Sequence, residues 1–254
     1  MSYIEQLLII CPIIFFAGFV DSIAGGGGLL SLPTYIAVGL PPKVALGTNK
    51  LGSTGGTFIA TLKFIKAKKV DMKSALVAGA FAIIGSNIGA RLAIHFNDKF
   101  LSYFMLIVLP IVFIFILKTK KFKEEREELI NNRKRVYILS SIIGISLGCY
   151  DGFFGPGTGT FIMLAFNTIV GFDIVKSNGN AKVVNFSSNI AAVITFAMNG
   201  LVMYKLAIPA LVFSVLGNYT GSSLAIKKGD KIIKPMLLFV FLVLIVKTFY
   251  DKFI

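Results

Sequence analysis

Long apolar runs alternate with short polar or glycine-proline segments along the whole chain. The runs cover residues 4–20, 28–39, 43–65, 74–95, 99–117, 136–150, 158–170, 174–198, 205–226 and 231–250. Most approach the roughly 20 residues that a helix needs to cross about 30 Å of hydrocarbon. The runs 28–39 and 158–170 are too short for a crossing at ~1.5 Å per residue. The pattern predicts an all-α integral membrane protein with two broken elements.

The two halves of the chain repeat one another. Gly18-Phe-Val-Asp21 matches Gly148-Cys-Tyr-Asp151 at an offset of 130 residues (151 − 21). GTNKL at 47–51 matches GNAKV at 179–183 at an offset of 132 (182 − 50), and the register continues into the later spans. Glycines, charges and segment ends rarely align together by chance. We therefore predict a first repeat at 1–117 and a second at 136–254, separated by the charged linker 118–135.

The positions of Lys and Arg predict the orientation of the repeats. The connections richest in basic residues are the linker 118–135, which has eight, and the connections 66–73 and 227–234. The positive-inside rule places all three in the cytoplasm. The chain returns there after residue 135 only if the broken element 136–170 makes an even number of crossings. We therefore predict two helical hairpins, 4–39 and 136–170, each followed by three transmembrane helices.

This count makes the two repeats inverted. A hairpin and three crossings bring the chain to the opposite side of the membrane, so the second repeat starts from the other face and both termini lie outside. Inverted repeats with discontinuous helices are typical of secondary transporters. The expected location is the cell membrane, with the linker 118–135 in the cytoplasm and the lipid bilayer as the surrounding partner.

Composition and charge agree with a membrane protein. Hydrophobic residues make up 56% of the 254 residues, charged residues 15%, and the mean hydropathy is +0.82. The net charge of +14 does not indicate a nucleic-acid partner, because the basic residues fall in connections that orient the chain in lipid. Cys11 and Cys149 lie in apolar segments, and no metal-ligand spacing or catalytic motif is present. We expect no cofactor, no metal and no enzymatic activity.

The broken elements provide the first candidate site. DSIAGGGGLLSLP at 21–33 and DGFFGPGTGTFIM at 151–163 each place an aspartate beside a helix-breaking run. Unwound backbone in a membrane is tolerated where it is buried in protein or lines a cavity, and the N-terminus of the following half-helix attracts anions. The backbone positions predicted to bind substrate are Gly26, Gly27, Gly28, Gly157 and Thr158.

Two lysines inside apolar spans provide the second candidate site. Lys50 and Lys182 occupy the same repeat position, and a lysine within a membrane span is costly enough to indicate function. Near a half-helix N-terminus, its ammonium would bind a small anion. The alternatives are a lysine that snorkels to the interface and a structural ion pair with Asp21 or Asp151. Neutral substrate-binding candidates surround the lysines: Thr48, Asn49, Asn180, Asn185 and Asn189.

Asp21 and Asp151 have three candidate roles. Each can cap its break, pair with a lysine, or carry a coupling proton. Pairing in the empty state is compatible with release of the lysine to substrate. A sodium ion is the other candidate for coupling.

The quoted residues resemble the sulfite exporter TauE/SafE family, also called the toluene sulfonate uptake permeases. The resemblance rests on GFVDSIAGGGGLLSLPTYIAVGLPPKVALGTNKL and SNGNAKVVNFSSNIAAVITFAMNGLV, and it extends over nearly the whole chain. It implies a secondary transporter of sulfite, sulfonates, sulfoacetate or related small organic anions, working by alternating access in either direction. The second break, GPGTGT, departs from the glycine run, and the basic linker is a variable feature.

Other classes of function predict different properties. A non-transporting membrane scaffold or accessory subunit would assemble through the GxxxG faces Gly85/Gly89 and Gly217/Gly221 and would tolerate neutral replacement of the Asp and Lys pairs. An ion channel would show neither saturation at low substrate concentration nor exchange. A homo-oligomer is compatible with either a transporter or a scaffold.

Overall fold

The computed structural model describes residues 1–101, 103, 104, 107, 124–233, 235 and 236. Every regular element within these residues is a helix, as expected for an all-α protein. The helices are α1 Tyr3–Ala24, α2 Gly28–Ala37, α3 Pro42–Lys66, α4 Met72–His95, α5 Glu127–Asn131, α6 Arg133–Phe153, α7 Thr158–Ala165 with a π-helical continuation Phe166–Val170, α8 Ile174–Met198 and α9 Tyr204–Lys228. The greater part of the predicted spans 99–117 and 231–250 lies outside the described residues.

Polar residues explain where several of the helices begin. The side chains of Asp71, Asn132 and Asp173 accept hydrogen bonds from backbone N–H groups in the first turns of α4, α6 and α8. Such capping satisfies donors that have no partner within the helix. Because α6 begins at Arg133, it takes in the end of the predicted linker 118–135.

The helices before the breaks are longer than the apolar runs that predicted them. α1 continues to Ala24 and α6 to Phe153, whereas the apolar runs end at residues 20 and 150. A carboxylate interrupts an apolar run without interrupting the helix that carries it. Asp21 and Asp151 therefore lie within regular helix, where the backbone fixes their positions.

After each break the chain returns along the helix that led to it. At the open end of the first broken element, the side-chain amide of Gln6 donates a hydrogen bond to the carbonyl of Val38 at 3.0 Å. In the second element, the guanidinium of Arg135 donates to the carbonyl of Ile169 at 2.7 Å. Each returning segment thus ends beside the start of the helix that precedes it.

Glycines let the long helices pack with their backbones in contact. α4 lies against α6 at Gly85 and Gly89, where a Cβ atom would collide with the backbone of Cys149. α9 lies against α1 in the same way at Gly217 and Gly221. Small residues permit this close approach in membrane helices. These faces are covered within the chain, so they are not open for the assembly that the scaffold alternative requires.

The periphery of the molecule is apolar and its interior contains many polar side chains. Leu8, Phe16 and Met198 are exposed, whereas Ser86 and Asn180 are fully buried. This distribution is opposite to that of a water-soluble protein and suits a lipid environment. α1, α4, α6 and α8 are each long and apolar enough to cross a membrane. The chain is an all-α membrane protein.

Candidate functional site

The two helix breaks meet inside the molecule. The hydroxyl of Thr160 donates to the carbonyl of Ala24 at 2.6 Å, and its backbone N–H donates to the carbonyl of Gly25 at 3.3 Å. Gly25 has a φ of +80°, in the left-handed region that favours glycine. A Cβ atom at this position would also strike the backbone of Gly159. Glycine at position 25 therefore allows both the turn and the contact between the breaks.

Two ion pairs, one buried and one partly buried at its aspartate, cross between the halves of the chain. Lys50 on α3 lies 2.7 Å from Asp151 at the end of α6, and Lys182 on α8 lies 3.1 Å from Asp21 at the end of α1. The exposed fractions of the two lysine side chains are 4% and 0%, so neither snorkels to the surface. Each lysine pairs with the aspartate of the opposite half, which is one form of the ion-pair alternative that the sequence left open.

Neutral side chains add hydrogen bonds to the pair of Lys50 and Asp151. The ammonium of Lys50 also donates to the Oδ1 atom of Asn189 at 3.1 Å. The carboxylate of Asp151 accepts a hydrogen bond from the hydroxyl of Ser188 at 2.5 Å. Such bonds offset part of the free energy lost when both charges leave water.

The pair of Lys182 and Asp21 is also part of the first break. Lys182 donates to the backbone carbonyl of Asp21 as well as to its carboxylate. The other carboxylate oxygen accepts a hydrogen bond from the N–H of Gly27 at 3.3 Å. Asp21 therefore caps the break and pairs with a lysine at the same time, so two of its three candidate roles occur together.

A polar cavity lies where the two breaks meet, between α1, α2, α3, α8 and α9, with Asp151, Gly155 and Gly159 of the second broken element also in its lining. It is partly open to the outside of the molecule. Glycines and polar side chains dominate its lining, which suits a small hydrophilic solute. The predicted site residues that line it are Asp21, Gly27, Gly28, Asn49, Lys50, Asp151, Asn185 and Asn189.

The other predicted site residues do not line this cavity. They are Gly26, Thr48, Gly157, Thr158, Asn180 and Lys182. Thr48 and Asn180 each precede a lysine by two residues, which turns them about 200° around the helix from it. The hydroxyl of Thr48 accepts the N–H of Met203 at 3.0 Å, and the amide of Asn180 accepts the N–H of Asp71 at 2.9 Å. In the structure these two side chains join helices.

Several polar residues of the cavity were not predicted from the sequence. They are Ser31, Tyr35, Ser214 and Asn218. Ser214 and Asn218 interrupt an apolar span, which is the same signal that pointed to Lys50, and the repeat register could have drawn attention to them. Tyr35 offers no such signal, because a tyrosine with an apolar ring and a polar tip is ordinary in membrane helices.

The family model of the sulfite exporter TauE/SafE family matches residues 10–248. The probable membrane transporter protein YfcA of Escherichia coli (strain K12) is 38% identical over 263 residues, covering 99% of this chain and 96% of the relative. A probable membrane transporter protein of Haemophilus influenzae is 35% identical over 250 residues, covering 98% and 96%. YdhB of Bacillus subtilis, also a probable membrane transporter protein, is 27% identical over 211 residues, covering 81% and 83%. No solved structure matches.

These similarities extend over nearly the whole chain and confirm the resemblance carried by the glycine break and the two lysines. The apolar helical shell and the two ion pairs inside it agree with the matching family model. The chain belongs to the sulfite exporter TauE/SafE family, and is a membrane transporter rather than an enzyme.

Proposed function

We propose that the chain is a secondary transporter, a permease that moves small sulfur-containing or organic anions such as sulfite, sulfonates or sulfoacetate across the cell membrane by alternating access. The observation that carries this proposal is the crossed pairing of Lys50 with Asp151 and of Lys182 with Asp21 beside a polar cavity. Ionisable groups buried within a membrane are costly and mark substrate and ion pathways. The name of the matching family points to an anion.

The cavity offers an anion both backbone and side-chain partners. α2 begins at the first break with Gly27 and Gly28 in the cavity lining, and the N-terminus of a half-helix carries a partial positive charge. An anion that reaches Lys50 competes with Asp151 for the ammonium. At the other pair, an anion competes with Asp21 for the ammonium of Lys182 in the same way. A proton or a sodium ion would then neutralise the released carboxylate. Substrate binding and cation coupling thus act through the same two pairs.

Equivalent contacts in the two halves support a two-fold relation between the repeats, and the positive-inside rule favours the inverted form of it. Thr48 accepts the N–H of Met203, while Asn180 accepts the N–H of Asp71. Both the acceptors and the donors are related by an offset of 132 residues (180 − 48 and 203 − 71). The first half accepts a hydrogen bond from the second through Thr48, and the second half accepts the equivalent bond from the first through Asn180. A two-fold relation between the halves requires this reciprocity. In our proposal the repeats are 1–117 and 136–254, joined by the cytoplasmic linker 118–135.

Alternating access follows from this relation if the two repeats exchange roles. Most of the broken-element residues that line the cavity belong to the first element, and the second contributes Asp151, Gly155 and Gly159. At the repeat position of the cavity residue Asn218, the hydroxyl of Ser86 donates to the carbonyl of Ser188 at 2.6 Å, and both residues are buried. Rocking of one repeat against the other would close the cavity and open its equivalent in the other repeat.

Counterflow in proteoliposomes tests the proposal. Unlabelled sulfite, a C2 sulfonate or acetate is loaded inside, and entry of the same labelled anion is followed. We expect saturable exchange with the unaltered protein and its loss in Lys182→Met. Lys176→Met is the matched control, because Lys176 forms a partly exposed pair with Glu125 at 2.8 Å. Absence of exchange with all three anions from folded protein would contradict the proposed function. Unaltered exchange by Lys50→Met/Lys182→Met would remove the lysines from it.

A further inference from the structure

Most polar groups around the cavity have partners within the protein, but three buried atoms do not. They are the hydroxyl oxygen of Tyr35 and the side-chain carbonyl oxygens of Asn185 and Asn218, none of which has a hydrogen-bond partner among the described residues. All three residues line the cavity, with exposed fractions of 0%, 5% and 2%. A buried polar atom without a partner destabilises the fold. Three such atoms in one cavity indicate a place built to hold a ligand.

The position that corresponds to Asn218 in the other half is satisfied within the protein. At the offset of 132 residues, Asn218 corresponds to Ser86 (218 − 86), whose hydroxyl donates to the carbonyl of Ser188 at 2.6 Å. The repeat position of Asn218 therefore has a structural partner in the first half and free hydrogen-bonding capacity in the second, where it lines the cavity.

The surroundings of the Tyr35 hydroxyl leave it room for a partner. The helix α3 faces it with Gly52, and a Cβ atom at Gly52 would lie 3.6 Å from the hydroxyl oxygen. Gly52 and Lys50 both line the cavity. Tyr35 thus lines the same cavity as Lys50, whose ammonium pairs with Asp151. Unlike that ammonium, the Tyr35 hydroxyl has no partner among the described residues that must leave before an anion binds.

We propose that Tyr35 is a specificity residue that donates its hydroxyl to an oxygen of the transported anion. This inference rests on the proposed transport function. The charged groups neutralise each other in the empty state, so a neutral donor distinguishes one anion from another. A donor at a fixed position favours a sulfonate or carboxylate, whose oxygens have defined directions, over a halide of the same charge. The side-chain carbonyl oxygens of Asn185 and Asn218 can only accept hydrogen bonds, so they suit water molecules that enter with the anion.

Tyr35→Phe tests the proposal, because it removes the hydroxyl and keeps the ring. We expect the KM for exchange of labelled sulfite, or of whichever loaded anion the unaltered protein exchanges, to rise about tenfold, as for the loss of one hydrogen bond to a charged group. We also expect bromide to compete better against ethanesulfonate in the variant than in the unaltered protein. Without anion, the melting temperature in detergent should be equal or higher, since an unpaired buried hydroxyl is removed.

Tyr150→Phe is the matched control. The hydroxyl of Tyr150 donates to the carbonyl of Pro156 at 2.7 Å, so its removal should lower the melting temperature. An unchanged KM and unchanged competition in Tyr35→Phe would overturn the role of Tyr35 while leaving transport intact. A lower melting temperature for Tyr35→Phe would overturn it as well, because the hydroxyl would then have a structural partner. Failure of the unaltered protein to exchange any of the anions would instead contradict the proposed function, and this inference with it.

Discussion

Lys50 and Asp151 lie 2.7 Å apart, although the lysine belongs to the first half of the chain and the aspartate to the second. Lys182 and Asp21 have the reciprocal relationship at 3.1 Å. Each pair joins a long continuous helix to the last turns of a helix that ends at a break. Each half of the chain therefore supplies the counter-charge for a lysine of the other half.

Removing one member of a pair should destabilise the protein more than removing both. Lys50→Met leaves Asp151 as a buried charge without its counter-ion, which costs about 3–5 kcal/mol in comparable pairs. Lys50→Met/Asp151→Asn removes both charges and should recover most of the stability, but not transport. Thermal unfolding in detergent and counterflow measure the two properties. Lys176→Met, at the partly exposed pair with Glu125, should change stability by less than about 1 kcal/mol. A single variant as stable as the double variant would contradict this account.

The contact between the two breaks should depend on the hydroxyl of Thr160. Thr160→Val keeps the shape of the side chain but leaves the carbonyl of Ala24 without its hydrogen bond of 2.6 Å. We expect a loss of about 1–3 kcal/mol in the free energy of unfolding. Thr220→Val is the control, because its hydroxyl bonds only within its own helix at an exposed position. Equal effects of the two substitutions would show that the contact between the breaks contributes little.

Helix packing should be equally sensitive at Gly85 and Gly217. A Cβ atom would lie 2.8 Å from the nitrogen of Cys149 in Gly85→Ala and 2.9 Å from that of Phe19 in Gly217→Ala. Both helices would have to separate, so each variant should lose about 1–3 kcal/mol of stability. At Gly52 the nearest atom is 3.6 Å away, and Gly52→Ala should keep or raise stability by up to about 1 kcal/mol through its helix propensity. Thermal unfolding of the three variants gives the comparison.

The stability of the protein should depend on pH through Asp71. Burial raises the pKa of its carboxyl, but hydrogen bonds from Arg133 and Ser74 and the charge of Arg133 lower it below its ordinary value. The ionised carboxylate therefore stabilises the fold above the unfolded pKa of about 4, and this contribution disappears as the pH falls through the lower folded pKa. Asp71→Asn should lower the melting temperature at pH 7. The melting temperatures of the variant and of the unaltered protein should become equal below about pH 4. A difference that stays constant with pH would contradict this role.

The proposed topology makes the turns after α3 and α8 face opposite sides of the membrane. Lys69→Cys and Asn199→Cys place a thiol in these turns, both at exposed positions. The background lacks Cys11 and Cys149. An impermeant maleimide should label Asn199→Cys in intact cells and Lys69→Cys only after permeabilisation, because the basic turn lies in the cytoplasm. Labelling of both thiols from the same side would exclude inverted repeats.

Local signals in the sequence were enough to locate the breaks and the lysines. Four consecutive glycines at 25–28 cannot continue an apolar helix without a reason, and Lys50 and Lys182 are conspicuous in their apolar spans. The pairing of the charges could not be predicted in the same way. The repeat makes Asp21 and Asp151 equivalent, and the choice between them depends on how the two broken elements lie across each other.

Residues whose role depends on packing were also beyond the sequence. Thr48 looks like a neighbour of Lys50 along the chain, yet the turn of the helix carries it to another contact. The hydroxyl of Tyr35 becomes a candidate only once its burial and its lack of a partner among the described residues are known. Sequence position alone gives neither of these properties, because both are set by helices from distant parts of the chain.

The two ion pairs together carry no net charge. A monovalent anion that enters this neutral centre by itself gives the occupied carrier one negative charge. In a cell whose interior is electrically negative, moving that charge outward is favoured by about 2.3 kcal/mol per 100 mV for a complete crossing. The membrane potential therefore favours export of an anion that travels unaccompanied, and import against it needs an inward concentration gradient, exchange for another anion, or a cation that moves inward with the anion.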